Sequence, residues 1–469
     1  IISLVSSFLL LTKLIIRGYI MLRRNAENDI KKWLKDDNRA LLLTGARQTG
    51  KTYLIRQVLR ETDTPYAEIN FIEHPDYVQA FDNASGAEEI IPRLSVMTDQ
   101  ELIPGKTVIF LDEIQECREM VTQIKFLVDD GRFKYVLSGS LLGVELKGLR
   151  SVPVGYLKSV TLYPLSIEEF FSNIGVHQKT FDAIEHSFKD KVPVDDFIHR
   201  QLMKVFYLYL VVGGMPAAVQ KYIDTENLSD VSDIQREIIR LYRRDFSKYA
   251  AGKGPELWDI YDAVPAELEE NNKRFFISHV AGKVNFDRVK DRFLWLSDAG
   301  VVLPVYNVTE PKAPLKISEK RNLFKLFMSD VGLLTSFYSD SVRLGILSND
   351  PSINNGGLYE NVVAQELYSH GFNNLWYYNS KSQGELDFLI EKDGAVLPIE
   401  VKSGKSYSIH SALSNILTST EYNIEQAVVL CNDNLSVDDR ITYMPIYMLM
   451  FFQKELTEDV RYHLDLSGI

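Results

Sequence analysis

The stretch that most constrains this chain is ALLLTGARQTGKTYLIRQVL, residues 40–59. The apolar run from Ala40 to Leu43 predicts a buried strand, and Tyr53, Leu54, Val58 and Leu59 recur at helical spacing. Between them Gly45-Ala46-Arg47-Gln48-Thr49-Gly50-Lys51-Thr52 fits G-x-x-x-x-G-K-[ST] at every fixed position. A glycine loop between a buried strand and a helix calls for a parallel α/β sheet, with ligands at the strand C-termini. The glycines let backbone N–H groups turn toward phosphates, and the helix N-terminus adds positive partial charge. Lys51 is expected to reach the β and γ phosphates of a nucleotide, and the Thr52 hydroxyl to ligate Mg²⁺.

Two further strands fit the same machine. KTVIFLDEIQ runs apolar from Val108 to Leu111 and then presents Asp112 and Glu113. Asp112 is expected to hold Mg²⁺, and Glu113 to polarise an attacking water as a general base. An acidic helix N-cap would also use this pair, but would not explain its place after a buried strand. FKYVLSGSLLG ends a third strand at Ser138-Gly139-Ser140. Ser138 is the candidate γ-phosphate sensor, with Ser140 the alternative and a plain turn the bland one.

Composition bounds the rest. A chain of 469 residues, 45% hydrophobic and 25% charged, is ordinary for two to four globular domains. Its net charge of −12 argues against a generally basic nucleic-acid coat. Cys117 and Cys431, the only cysteines, lack metal-ligand spacing, which fits a reducing, cytoplasmic setting. Residues 1–20 are apolar, but Lys13 and Arg17 interrupt them, and a charge at mid-bilayer costs roughly 2.5–3.5 kcal/mol. The favoured expectation is upstream sequence ahead of a start at Met21, with a membrane anchor as the alternative.

Together GARQTGKT, FLDEIQ, LSGSLLG, PVGYLKSVTLYPLSIEEF and VVGGMPAAV resemble a large bacterial and archaeal family of AAA-type ATPases. That resemblance implies an AAA-like core, a helical lid, a winged-helix-like connector and a C-terminal domain similar to PD-(D/E)XK nucleases. Where many relatives carry Gly-Arg, this chain has Gly155-Tyr156. The arginine-finger candidates are then Arg150, Arg118, Arg243 and Arg244. The expected domains are 21–165, 166–255, 256–347 and 356–469, after the leader 1–20.

In the middle, Ser166 and Glu169 form a capping box, and Pro216 opens a helix after Gly213-Gly214. Val289, Phe293 and Leu296 make a core stripe beside Lys283, Arg288, Lys290 and Arg292. DNA readout is one use of such a helix, but interleaved Asp287, Asp291 and Asp298 favour a structural connector. The polar segment 348–357 reads as the best domain boundary.

Beyond it, GLYENVVAQELYSHGF predicts an amphipathic helix carrying Glu360. Asp393-Gly394 predicts a two-residue hairpin loop. That register sets Phe388 against Ile399 and Leu386 against Val401 on one buried face. On the other face Asp387 opposes Glu400, and Glu385 opposes Lys402. Opposed carboxylates repel, and a divalent cation between them would reverse this, with Glu360 as a third ligand. Lys402 could then orient water or stabilise developing charge. The same four residues match the nuclease pattern, so three functions stand open: an Mg²⁺-dependent ATPase, an ATP-gated DNA nuclease, and a nucleotide-switched interaction module with an inactive nuclease-like domain. DNA and a second copy of the chain are the macromolecular partners considered.

Overall fold

The computed structural model describes residues 21–81, 84, 86–140, 155–249, 253–270, 272–281, 286–392, 394–404, 407–408 and 410–454. Readings that rest on residues 1–20, Arg150, Lys283 and Asp393 lie outside them.

The first sheet is wholly parallel: Ala40–Thr44 (β1), Tyr66–Asn70 (β2), Val108–Asp112 (β3), Lys134–Ser138 (β4) and Leu157–Thr161 (β5), in the order β2-β3-β4-β1-β5. Strand side chains alternate between faces, and each apolar strand here divides between two cores. Leu41, Leu43, Val108, Phe110 and Val136 pack with the helices Ala26–Asp36 (α1) and Lys51–Glu61 (α2). Leu42, Ile109, Leu111 and Leu137 pack with Ala87–Val96 (α3) and Arg118–Asp130 (α4). Strands β3 and β1 both flank β4, so the three predicted site segments leave the sheet side by side.

A helical region follows: Ile167–Asn173 (α5), Gln178–Asp190 (α6), Asp196–Val212 (α7), Pro216–Thr225 (α8), Leu228–Tyr249 (α9), Gly254–Glu269 (α10), Ile277–Ala281 (α11) and Phe286–Asp298 (α12). The predicted capping box is present: the Ser166 hydroxyl accepts from the Glu169 amide, and Glu169 accepts from the Ser166 amide. Pro216 does open α8, and Val289, Phe293 and Leu296 are the buried stripe of α12.

The second sheet is mixed and eight-stranded. It comprises Val302–Val308 (β6), Glu319–Met328 (β7), Leu375–Ser380 (β8), Gly384–Lys392 (β9), Ala395–Val401 (β10), Ala427–Cys431 (β11), Ser436–Asp438 (β12) and Ile441–Pro445 (β13). Its order is β12-β13-β11-β10-β9-β8-β6-β7. Strand β6 runs parallel to β8, Val305 beside Leu375 and Val308 beside Tyr378. The segment expected as a separate connector therefore supplies two strands to the C-terminal sheet. Strand β6 is buried on both faces, a pattern that requires packed layers on both sides of the sheet.

Three shorter helices, Val331–Thr335 (α13), Asp340–Leu347 (α14) and Ser411–Thr418 (α16), flank Gly356–Ser369 (α15) in the chain. Helix α15 is not amphipathic: every residue from Gly357 to Leu367 is buried, because β6, β7, β8 and β10 lie on one side and α10 and α13 on another. Two of its polar residues find backbone partners inside. Asn361 accepts from the Met328 amide, and Gln365 accepts from the Val331 amide.

Candidate functional site

The P-loop closes over the C-terminal edge of the parallel sheet. Gly45 has φ +133°, and a Cβ there would collide with the Leu162 carbonyl oxygen, so only glycine fits the turn off β1. Gly50 has φ +89° at the N-cap of α2. Thr49 is fully buried and its hydroxyl donates to the Ala46 carbonyl at 2.9 Å. The Lys51 ammonium donates to the Gly45 and Ala46 carbonyls at 3.0 and 2.8 Å. Burial pushes the Lys51 ammonium down to about 8, which Glu113 and Asp112 only partly offset. An anion beside it would favour its charged form.

Asp112 is the hub of the site. Thr52 Oγ1 donates to its two oxygens at 3.0 and 3.1 Å, Asn70 Nδ2 donates at 3.0 Å, and the Ser138 hydroxyl donates to Oδ1. Burial raises the Asp112 pKa, and the neighbouring Glu113 charge adds to that, against the lowering by Ser138 and Thr52. Of the two sensor candidates, Ser138 is joined to Asp112, whereas Ser140 Oγ lies 3.4 Å from Glu113 Oε2. Glu113 itself is left-handed, φ +54°, and accepts from Gln115 Nε2 at 2.6 Å.

Four groups at the site gave no signal in the sequence. Asn70 ends β2, a strand with no motif of its own. Arg24 donates to the carbonyls of Thr49 (3.1 Å) and Tyr163 (2.6 Å) and ion-pairs with Glu169 at 3.2 Å, so it ties the P-loop to α5. On the outer side, Asp245 of α9 pairs with the Arg47 guanidinium, and Tyr242 Oη donates to the Arg47 carbonyl at 3.1 Å. Leu22, Arg24, Gly50, Tyr53, Leu54, Pro216 and Gln220 line a hollow of about 220 Å³ beside the loop. Among the arginine-finger candidates, Arg243 stacks 3.5 Å from the centroid of the Trp258 ring.

This geometry agrees with the family match over the same residues. Residues 37–171 match a family described as an AAA domain. They form an AAA-type ATPase domain. Residues 203–345 and 355–449 match two domains of unknown function, DUF8612 and DUF4143. No curated protein matches. Among solved structures, the Walker-type ATPase PABY2304 of Pyrococcus abyssi is 15% identical and covers 68% of this chain and 96% of its own, with a TM-score of 0.43. CDC6P of Pyrobaculum aerophilum is 12% identical, covers 71% and 97%, and has a TM-score of 0.23. PCH-2 of C. elegans is 15% identical, covers 46% and 67%, and also scores 0.23. These three are too distant in shape to carry the argument further. Among the described residues no helix is long and apolar enough to cross a membrane.

In the second sheet, the hairpin β9–β10 keeps the predicted register: Phe388 pairs with Ile399 and Lys392 with Ala395. Two expectations fail. The β8–β9 ladder shifts between Trp376 and Tyr378, so Asp387 and Phe388 together oppose Tyr377. A bulge of this kind re-aims the side chains that follow it. Leu386 consequently packs with Leu389 and Val429, while Phe388 packs with Ile399 and Val401 in a different core. The opposition of Glu385 and Lys402 is replaced as well. Lys402 Nζ lies 2.7 Å from Glu400 Oε1, and Glu385 Oε1 lies 2.7 Å from Lys325 Nζ. Asp387 Oδ2 accepts from the Val401 amide at 2.9 Å. Burial raises the Asp387 pKa, and Glu400 and Glu360 raise it further. For Glu360, burial works upward but Lys325 and Lys273 outweigh it, so the net shift is down. Among the described residues no group of three or more His, Cys, Asp or Glu side chains is arranged to hold a metal ion. Of the expected ligand set, Glu360 and Asp387 both lie against Lys325, and Glu400 pairs with Lys402.

Proposed function

We propose that the chain binds ATP with Mg²⁺ at the P-loop, hydrolyses it, and couples turnover to movement of the helical region against the ATPase sheet. The observation that carries this reading is the convergence of Thr52, Asn70 and Ser138 on Asp112, beside a buried Lys51. Hard oxygens from a hydroxyl and a carboxylate suit Mg²⁺, which takes few protein ligands and shares the phosphates. Thr52 and Asp112 would hold the ion, which would neutralise charge on the phosphates.

The protein groups have separate tasks in this reading. Backbone amides from Gly45 to Thr52 receive the phosphates, and Lys51 moves its donated hydrogen bonds from the loop carbonyls to them. Glu113 takes the proton of the attacking water, and Ser138 reports on the γ-phosphate through Asp112. The adenine base lies in the hollow between Leu22, Tyr53 and Pro216. Coupling is supported by the Arg47–Asp245 pair, because a phosphate near the loop competes with Asp245 for the same guanidinium. Lys51→Ala should abolish ATP binding or reduce hydrolysis to background, read by nucleotide titration and phosphate release. Unchanged ATPase activity in that variant would remove the site assignment.

A further inference from the structure

The acidic cluster of the second sheet already contains cations. Lys325 projects from β7 and its side chain is wholly buried, 0% exposed. Its ammonium lies 3.2 Å from Glu360 Oε2, 2.7 Å from Glu385 Oε1 and 3.8 Å from Asp387 Oδ1. The Tyr377 ring stands 5.3 Å away. The other Glu360 oxygen is held by Lys273, from the segment between α10 and α11. Glu400 is held on one oxygen by Lys402, and its Oε2 is buried without a partner.

Carboxylates around a buried ammonium hold it in its charged form, and a cation among close carboxylates relieves their mutual repulsion. Both apply to Lys325, touching three carboxylates from α15 and β9. A divalent ion bound to Glu360 and Asp387 would stand against the Lys325 ammonium, with like charges facing each other at low dielectric. A fully buried side chain has no solvent-exposed position into which its charged end could withdraw. The residues that match the nuclease pattern therefore do not fit a metal ion in this arrangement.

We propose that Lys325 is the resident cation of this cluster: it joins Glu360, Glu385 and Asp387 as a divalent ion would, and so closes the site to one. The consequence is architectural. Lys325 fastens β7 to β9 and α15, and the domain performs no metal-dependent cleavage in this conformation. This inference is independent of the ATPase reading, since it concerns the other sheet.

The test is Mn²⁺ binding by the full chain without nucleotide, measured by electron paramagnetic resonance and by the thermal midpoint. Wild type and Asp387→Asn should bind Mn²⁺ equally, with the same midpoint dependence. Lys325→Met should bind one ion per chain more than wild type, and Asp387→Asn in that background should remove it. Removing one charge of a balanced set can prevent folding, so Lys325→Met combined with Glu385→Gln is the second variant, with the same gain expected. The proposal is overturned if wild type binds an ion that Asp387→Asn abolishes. It is equally overturned if a folded Lys325 variant gains none. The wild-type comparison needs no substitution at Lys325, so it decides the matter even if neither variant folds.

Discussion

At the scale of single residues, two side chains carry separable expectations. Glu113 sits in a left-handed conformation after β3, with Gln115 holding its carboxylate at 2.6 Å. Backbone in that region costs free energy and persists where the surroundings fix it, as they do beside a reacting group. Glu113→Gln should keep ATP binding and lower hydrolysis by about 10²–10⁴-fold, the usual worth of a general base. An equal loss of binding and turnover would give Glu113 a structural role instead. The second residue is Glu366 of α15, fully buried, which accepts from the Ile167 amide at 3.0 Å and from Tyr209 Oη at 3.2 Å. Burial pushes its carboxyl up to about 8, and the hydrogen bonds oppose only part of that. A folded pKa above the unfolded one means stability that is complete in acid and lost as pH rises toward 8. Glu366→Gln should flatten that loss, raising the midpoint at pH near 8 by at least about 2 °C, with little change in acid. A lower midpoint at both pH values would show that the carboxylate form is the stabilising one.

Between elements, the link that matters joins the P-loop to α9. Arg47 is partly exposed and Asp245 nearly buried, so their pair is worth roughly 1 kcal/mol or less to a competing phosphate. Asp245→Asn should tighten ATP binding about twofold to fivefold, following that energy, and remove the ATP-dependent change in protease sensitivity around α9. Unchanged affinity with an unchanged cleavage pattern would break the coupling argument. The ATPase elements were legible in advance because their chemistry is local. A strand, eight loop residues and a helix are contiguous, so 40–59 states its own fold. Asn70, Asp245 and Lys325 were not legible, because each reaches its partner through tertiary packing. The bulge at Asp387 escaped for a related reason. Hairpin register follows from the loop at Gly394, but the β8 partner that forces the shift lies outside the hairpin.

For the whole molecule, the question is where the chain divides. A polar segment at 348–357 separates two patterned regions, and sequence reasoning places a boundary there. The core runs through it. One apolar cluster contains Leu210 and Val212 of α7, Tyr261 of α10, Val305 of β6, Leu358 and Val362 of α15, and Ile399 of β10. The ATPase sheet has its own two clusters, built from residues of 30–162. We propose that the packing units divide near Leu165, because the apolar cluster is continuous on both sides of the polar segment. A fragment of residues 356–469 would leave β8 without β6 beside it, and α15 without α10 and α13. An open strand edge and an uncovered apolar helix favour aggregation. Such a fragment should be insoluble or melt without cooperativity, whereas residues 165–469 should give a soluble species with one cooperative transition. Size-exclusion chromatography and thermal melts of both fragments check this. A monomeric, cooperatively melting 356–469 would move the boundary back to the polar segment. It would also separate Lys325 on β7 from the carboxylates it neutralises, and that fragment should then respond to Mn²⁺ where the full chain does not.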